Sequence, residues 1–149
     1  MAQQQFLARL AHDNQSEIDM GKMAKDQASS PRVKKFAEQI VRDHEQADKM
    51  VKDYTKKKNI DLNGSSSGMA MKDEDKAEMK RLKDLKGAEF DREFVHQMVG
   101  DHEKTVKDVT AARTQFKDPE LTKLLDQLLP KLKQHLTTAR SLDKGGSKA

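Results

Sequence analysis

The chain has 149 residues, 36% of them charged and 34% hydrophobic, with only 4% aromatic and three prolines. That length suits one domain with a buried core, and the composition suits amphipathic helices with charged outer faces rather than a strand-rich fold. The net charge of +4 comes from closely matched totals of 29 basic and 25 acidic residues, and with no Trp and one Tyr the pattern argues against a nucleic-acid partner. Cysteine is absent, which excludes a disulfide framework and a thiolate metal site. No stretch is apolar enough for a membrane span, and the opening Met-Ala-Gln-Gln-Gln-Phe lacks the basic and apolar regions of a signal peptide, so none is expected in this chain.

In chain order, apolar spacing predicts a first helix over Gln3 to Ala28, with Leu7, Leu10, Asn14, Glu17, Gly21 and Ala24 on one face. Ser30 and Pro31 form a cap-plus-proline start for a second helix reaching Lys58. Its inward stripe is Val33, Ala37, Ile40, His44, Ala47, Val51 and Tyr54. The region 59–86 has a different character: Asn63 to Gly68 reads as a flexible linker, and Asp73 as the cap of a short charged helix through Met79, Leu82 and Leu85. A third long helix is expected from Ala88 to Phe116, with Phe94, Val95, Met98, Val99, His102, Val106 and Val109 inward. Asp118 and Pro119 repeat the start signal and open a fourth helix to Asp143, carrying Leu121, Leu124, Leu125, Leu128, Leu132, His135 and Leu142 inward. Pro130 is expected to kink it, and the glycine-containing basic end after Asp143 to be a disordered tail.

An internal repeat runs through this pattern. Phe36-Ala-Glu-Gln-Ile-Val-Arg-Asp-His44-Glu45 is echoed by Phe94-Val-His-Gln-Met-Val-Gly-Asp-His102-Glu103, which marks the second and third long helices as equivalents in a duplicated domain. Two short turns joined by one long connection is the connectivity of a ferritin-like four-helix bundle with a crossover. An up-down-up-down bundle with a surface helix is the alternative.

Counting from the turns places Glu17, His44, His102 and His135 near mid-helix, one on each long helix. Three neutral imidazoles and a carboxylate meeting inside a dry bundle suit a divalent transition metal: zinc first, with iron, manganese or copper also able to bind. Asp48, one turn beyond His44, is a candidate to orient a ligand or enlarge the shell. At each position the competing account is a hydrogen-bonded core residue, and for Glu17 a buried ion pair. His12 and His96 are expected on partly solvated faces, and the eight methionines as core filling. Asp43, Glu45, Asp101 and Glu103 point away from the stripe and are expected to form salt bridges or to contact ligands from outside.

The pattern Glu17-Ile-x-Met-Gly-Lys-x-Ala with Val33-Lys-x-Phe-Ala-x-x-Ile-Val-x-Asp-His44 is similar to the first half of the DUF4142 family. Phe90-Asp-Arg-x-Phe-Val-x-x-Met-Val-x-Asp-His102 and Leu129-Pro-x-Leu-x-x-His135-Leu resemble its second half. The resemblance implies a ferritin-like four-helix bundle, exported to the periplasm or bacterial envelope, with Glu17, His44, His102 and His135 at the family's matched positions. Without a signal in the chain, a cytoplasmic setting stays open. Di-iron ferritin chemistry requires Glu-x-x-His pairs. Here Val41, Val99 and Leu132 stand three residues before the histidines, so ferroxidase activity is not expected.

The function expected from the residues is metal binding, structural or sequestering, at one mononuclear Glu/His3 centre. A metal-dependent oxidase or hydrolase, and a metal-free interaction module, are the alternatives. The metal ion is the expected partner, and a homo-oligomer is left open.

Overall fold

The computed structural model describes residues 2–62 and 76–144. Four long helices make the bundle: α1 (Gln3–Gln27), α2 (Pro31–Lys57), α4 (Gly87–Gln115) and α5 (Pro119–Asp143). A short helix α3 occupies residues 76–83 of the connection between α2 and α4. The expected linker from Asn63, the Asp73 cap and the tail beyond Lys144 lie outside the described residues.

The helix starts follow the local chemistry read from the sequence. Ser30 Oγ accepts from the Val33 N–H at 3.4 Å, and Asp118 Oδ1 accepts from the Glu120 N–H at 3.1 Å. Pro31 and Pro119 occupy the first helical positions, where a missing N–H costs nothing. Helix α5 continues through Pro130 without interruption. Gly87, the first residue of α4, has a φ of +61°, in the left-handed region that glycine adopts without a Cβ clash.

Helix directions follow from contacts at the two ends of the bundle. At one end the turn between α1 and α2 meets the start of α4: the buried Asp91 carboxylate accepts from Ser29 N at 3.0 Å, Ser29 Oγ at 2.7 Å and Ser30 N at 2.9 Å. At the other end the start of α1 meets the turn between α4 and α5, with Phe6 and Phe116 rings 6.0 Å apart. There the Tyr54 hydroxyl donates to Asp118 and accepts from Gln3 Nε2. Helices α2 and α4 therefore run parallel, and α1 and α5 oppose them. This is the crossover order of ferritin-like bundles. The principal packed neighbours are α1 with α2, α4 with α5, α1 with α4, and α2 with α5, so the parallel pair α2 and α4 lies on a diagonal.

The core is divided lengthwise. One apolar cluster gathers Met20, Ala24, Phe36, Ile40, Phe90, Phe94, Met98 and Leu142 with Leu82 of α3. The other gathers Phe6, Leu7, Leu10, Val51, Tyr54, Val109, Leu121 and Leu125. Between them lies a buried polar layer of Asn14, Glu17, His44, His102 and His135. Gly21, beside this layer, sets the closeness of α1 and α2: a Cβ there would sit 2.7 Å from Val41 Cγ2 and 3.2 Å from the Ala37 carbonyl oxygen.

Gly21→Ala should lower stability by about 1–3 kcal/mol despite alanine's better helix propensity, because the added methyl meets a stiff valine and backbone. Thermal unfolding should show Tm falling by several degrees. Asp91→Ala strands three donors at the α1–α2 turn and should cost about 3 kcal/mol in chemical denaturation.

Candidate metal centre

Each histidine of the polar layer comes from a different helix: His44 from α2, His102 from α4 and His135 from α5. All three are buried, and their ring centroids form a triangle with every side 5.4 Å. One nitrogen from each ring lies within 4.8 Å of the other two.

The outer hydrogen bonds set the tautomers. His102 Nδ1 is 2.9 Å from the Met98 carbonyl oxygen, which can only accept, so Nδ1 carries the proton. His44 Nδ1 likewise faces Asn14 Oδ1 at 2.9 Å. A neutral imidazole has one N–H, so both Nε2 atoms present bare lone pairs. They face each other at 3.3 Å. His135 is turned over: its Nε2 donates to Asp43 Oδ2 at 2.8 Å, which leaves Nδ1 bare, and that buried atom has no hydrogen-bond partner. Each ring thus keeps one nitrogen without a proton inside the buried layer.

Electrostatics keep the rings in this state. Burial, then the neighbouring His102 and His135, hold the His44 pKa well below its ordinary value. Burial and His135 push His102 down to about 4, with the Met98 carbonyl opposing. His135 is also lowered by burial, against the pull of Asp43. Asp43 is itself held at 3.4 Å by Lys131.

The donor set suits a metal ion. Two metal–nitrogen bonds of about 2.0–2.1 Å at a tetrahedral angle separate the nitrogens by roughly 3.3–3.4 Å. The His44–His102 separation of 3.3 Å matches this spacing. Asp43 behind His135 and the Met98 carbonyl behind His102 are the outer partners that orient imidazole ligands.

Of the four residues expected to converge, the structure brings together His44, His102 and His135. Glu17 is buried in the same layer on α1 but lies outside the 4.8 Å cluster. Asn14, one turn earlier on the same stripe of α1, touches His44 at 2.9 Å. Asp48 ion-pairs with Lys52 at 2.7 Å along its own helix. His12 is half-buried and His96 exposed, as their positions implied. Sequence reasoning gave Asn14 no definite role. The signal for Asn14 was a polar residue on an apolar stripe, the same that singled out Glu17. Asp43 meets the expectation of an outer contact and a salt bridge, to His135 and Lys131, while its counterpart in the repeat, Asp101, accepts from Gln97 on its own helix at 2.9 Å.

With this geometry in hand, comparison with known proteins places the chain. Residues 1–142 match the family model described as Domain of unknown function (DUF4142). The chain belongs to this family. No curated protein matches it in sequence. Among solved structures, CopM in its Cu(II)-bound form superposes with a TM-score of 0.77 at 26% identity, covering 95% of each chain. A DUF305 fragment from Deinococcus radiodurans gives a TM-score of 0.84 at 15% identity, over 96% of this chain and 97% of that one. A putative secreted DUF305 protein from Streptomyces coelicolor gives 0.79 at 15%, over 92% and 88%. The last two likenesses concern the fold alone. Among the described residues no helix is long and apolar enough to cross a membrane.

The depressed histidines make the metal-free protein acid-sensitive. Between the ordinary pKa of about 6.5 and the folded value of about 4 for His102, the unfolded chain binds more protons than the folded one. The His102 share of stability, about 3 kcal/mol, should therefore be lost as pH drops through that window and level off below it. Urea titrations from pH 7 to 4 with chelator present should show this slope, and His102→Gln should flatten it.

Proposed function

We propose that this protein binds one transition-metal ion through His44 Nε2, His102 Nε2 and His135 Nδ1, with copper the first choice. The observation that carries the reading is the facing of unprotonated nitrogens in a buried layer, 3.3 Å apart for His44 and His102. Lone pairs so placed repel one another, and a cation between them turns that repulsion into three bonds. All the protons that could compete are committed to Asn14, Met98 and Asp43.

Imidazole ligands suit copper, zinc, iron and nickel, and the order of divalent affinities peaks at copper. The Cu(II)-bound form of CopM, 26% identical over nearly the whole chain, favours copper for the same bundle. Zinc, expected from the residue types, fits the tetrahedral spacing and is the competing occupant. Glu17 takes no ligand position in this reading. The role that fits a deeply buried ion bridging α2, α4 and α5 is sequestration or structural support, with the two apolar halves of the core joined through the metal. The family resemblance implies an envelope setting for that role.

Protein purified without chelator and loaded with copper should hold about one ion per chain by elemental analysis, with a raised Tm. His102→Ala and His135→Ala should lose the ion, and Glu17→Gln should keep it. Asp43→Asn, which weakens the hold on His135, should lower affinity about 10–100-fold. Absence of metal at any loading overturns the site. Zinc retained against equimolar copper overturns the copper assignment alone.

A further inference from the structure

A metal ion held by the three histidines lies out of reach of solvent. His44, His102 and His135 are 4%, 1% and 1% exposed, and apolar clusters close the layer on both sides. Loading and release therefore need a movement of the bundle.

The helices are not equally free to make one. Helices α1 and α2 interlock at Gly21, where a Cβ would meet Val41 and the Ala37 carbonyl. Asp91 ties their turn to the start of α4. Between α2 and α5 the surface is cleft instead. Openings of about 450 and 200 Å³ enter there, and both are lined by Met50 and Gln127, so they continue along one seam. Ion pairs span it: Lys57 to Glu120 at 3.0 Å, Lys58 to Glu120 at 3.3 Å, and Lys131 to Asp43 at 3.4 Å. Asp43, Ala47, Leu128 and Lys131 line the smaller cleft and also the small cavity beside His44 and His135. Few side chains thus separate the seam from those two rings.

Pro130 lies on α5 at this height, among Leu128, Lys131 and Leu132 of the cavity wall. Proline has no N–H, so the Asp126 carbonyl receives no helical bond from it, and the helix bends more easily there. The residue is exposed, so packing of the core does not require a proline at this point.

Resting on the three-histidine site, we infer that α5 flexes at Pro130 and that this motion parts the α2–α5 seam to admit and release the metal. The half of α5 before Pro130 swings from α2. The half carrying His135 stays anchored through the buried Ala139 and Leu142. Cross-seam ion pairs set how often the seam opens. The ligands keep their places, so the gate governs rate rather than affinity, and whatever favours opening speeds entry and exit alike.

Copper uptake by the metal-free protein and chelator-driven release from the loaded protein test this, each followed by rapid mixing. Pro130→Ala restores the N–H at an exposed position and should slow both rates about three- to tenfold, with Kd within about twofold of wild type. Glu120→Lys breaks two seam ion pairs and should speed both by about threefold or more. Glu103→Gln removes an exposed pair with Arg140 between α4 and α5, and should leave both rates unchanged. Copper exchange in Pro130→Ala as fast as wild type overturns the hinge. Exchange in Glu120→Lys no faster than in Glu103→Gln overturns the seam. Either result leaves the three-histidine site standing, whereas a wild type that takes up no copper overturns both readings.

Discussion

Everything in this bundle is arranged around three buried imidazoles, each with one nitrogen left unprotonated, two of which face each other at 3.3 Å. That arrangement is unfavourable for the bare chain, because neutral rings offer lone pairs with no proton between them and burial opposes protonation of any one. It persists because each ring is clamped from outside: His44 by Asn14, His102 by the Met98 carbonyl, His135 by Asp43. The clamps come from α1, from α4 itself and from α2, so the layer binds all four long helices together. The apolar clusters above and below exclude the water that would otherwise relieve it.

The crossover supplies the geometry. Because α2 and α4 run parallel on a diagonal, equivalent positions of the repeat meet at the same height. Phe36 and Phe94 touch edge to face at 6.3 Å, and further along His44 and His102 meet. An antiparallel arrangement of the same two helices would separate one pair whenever it joined the other. An approximate twofold along the bundle axis relates α2 to α4 and α1 to α5. The polar layer breaks it: α5 adds a third histidine, where α1 adds an asparagine and a glutamate. A small cavity lies beside His44 and His135, bordered by Asn14 and Asp43.

Local signals carried much of the fold. Ser30 with Pro31 and Asp118 with Pro119 mark helix starts through backbone groups that need capping, whatever packs nearby. The inward stripes were equally readable, since a helix side chain's face depends only on the period of 3.6 residues. What the side chains touch was less legible. Asp43 was expected to form a salt bridge or to contact a ligand from outside, and only the packing of α5 against α2 decides that it meets His135. Asp91 was visible as part of a motif, yet its task is to hold a turn some sixty residues away in sequence. Gly21 reads as an ordinary stripe position until α2 is close enough to forbid a Cβ.

The sequence by itself determined four long helices, their starts, their buried faces and the mid-helix height of His44, His102 and His135, because these follow from local backbone chemistry and helical period. Only the tertiary structure decided which polar side chains touch. It set Asn14 against His44 and Asp43 against His135. It also set which nitrogen of each ring is bare. Those outcomes depend on differences of a few ångströms in how neighbouring helices rotate and approach, and helical period carries no information about a neighbour.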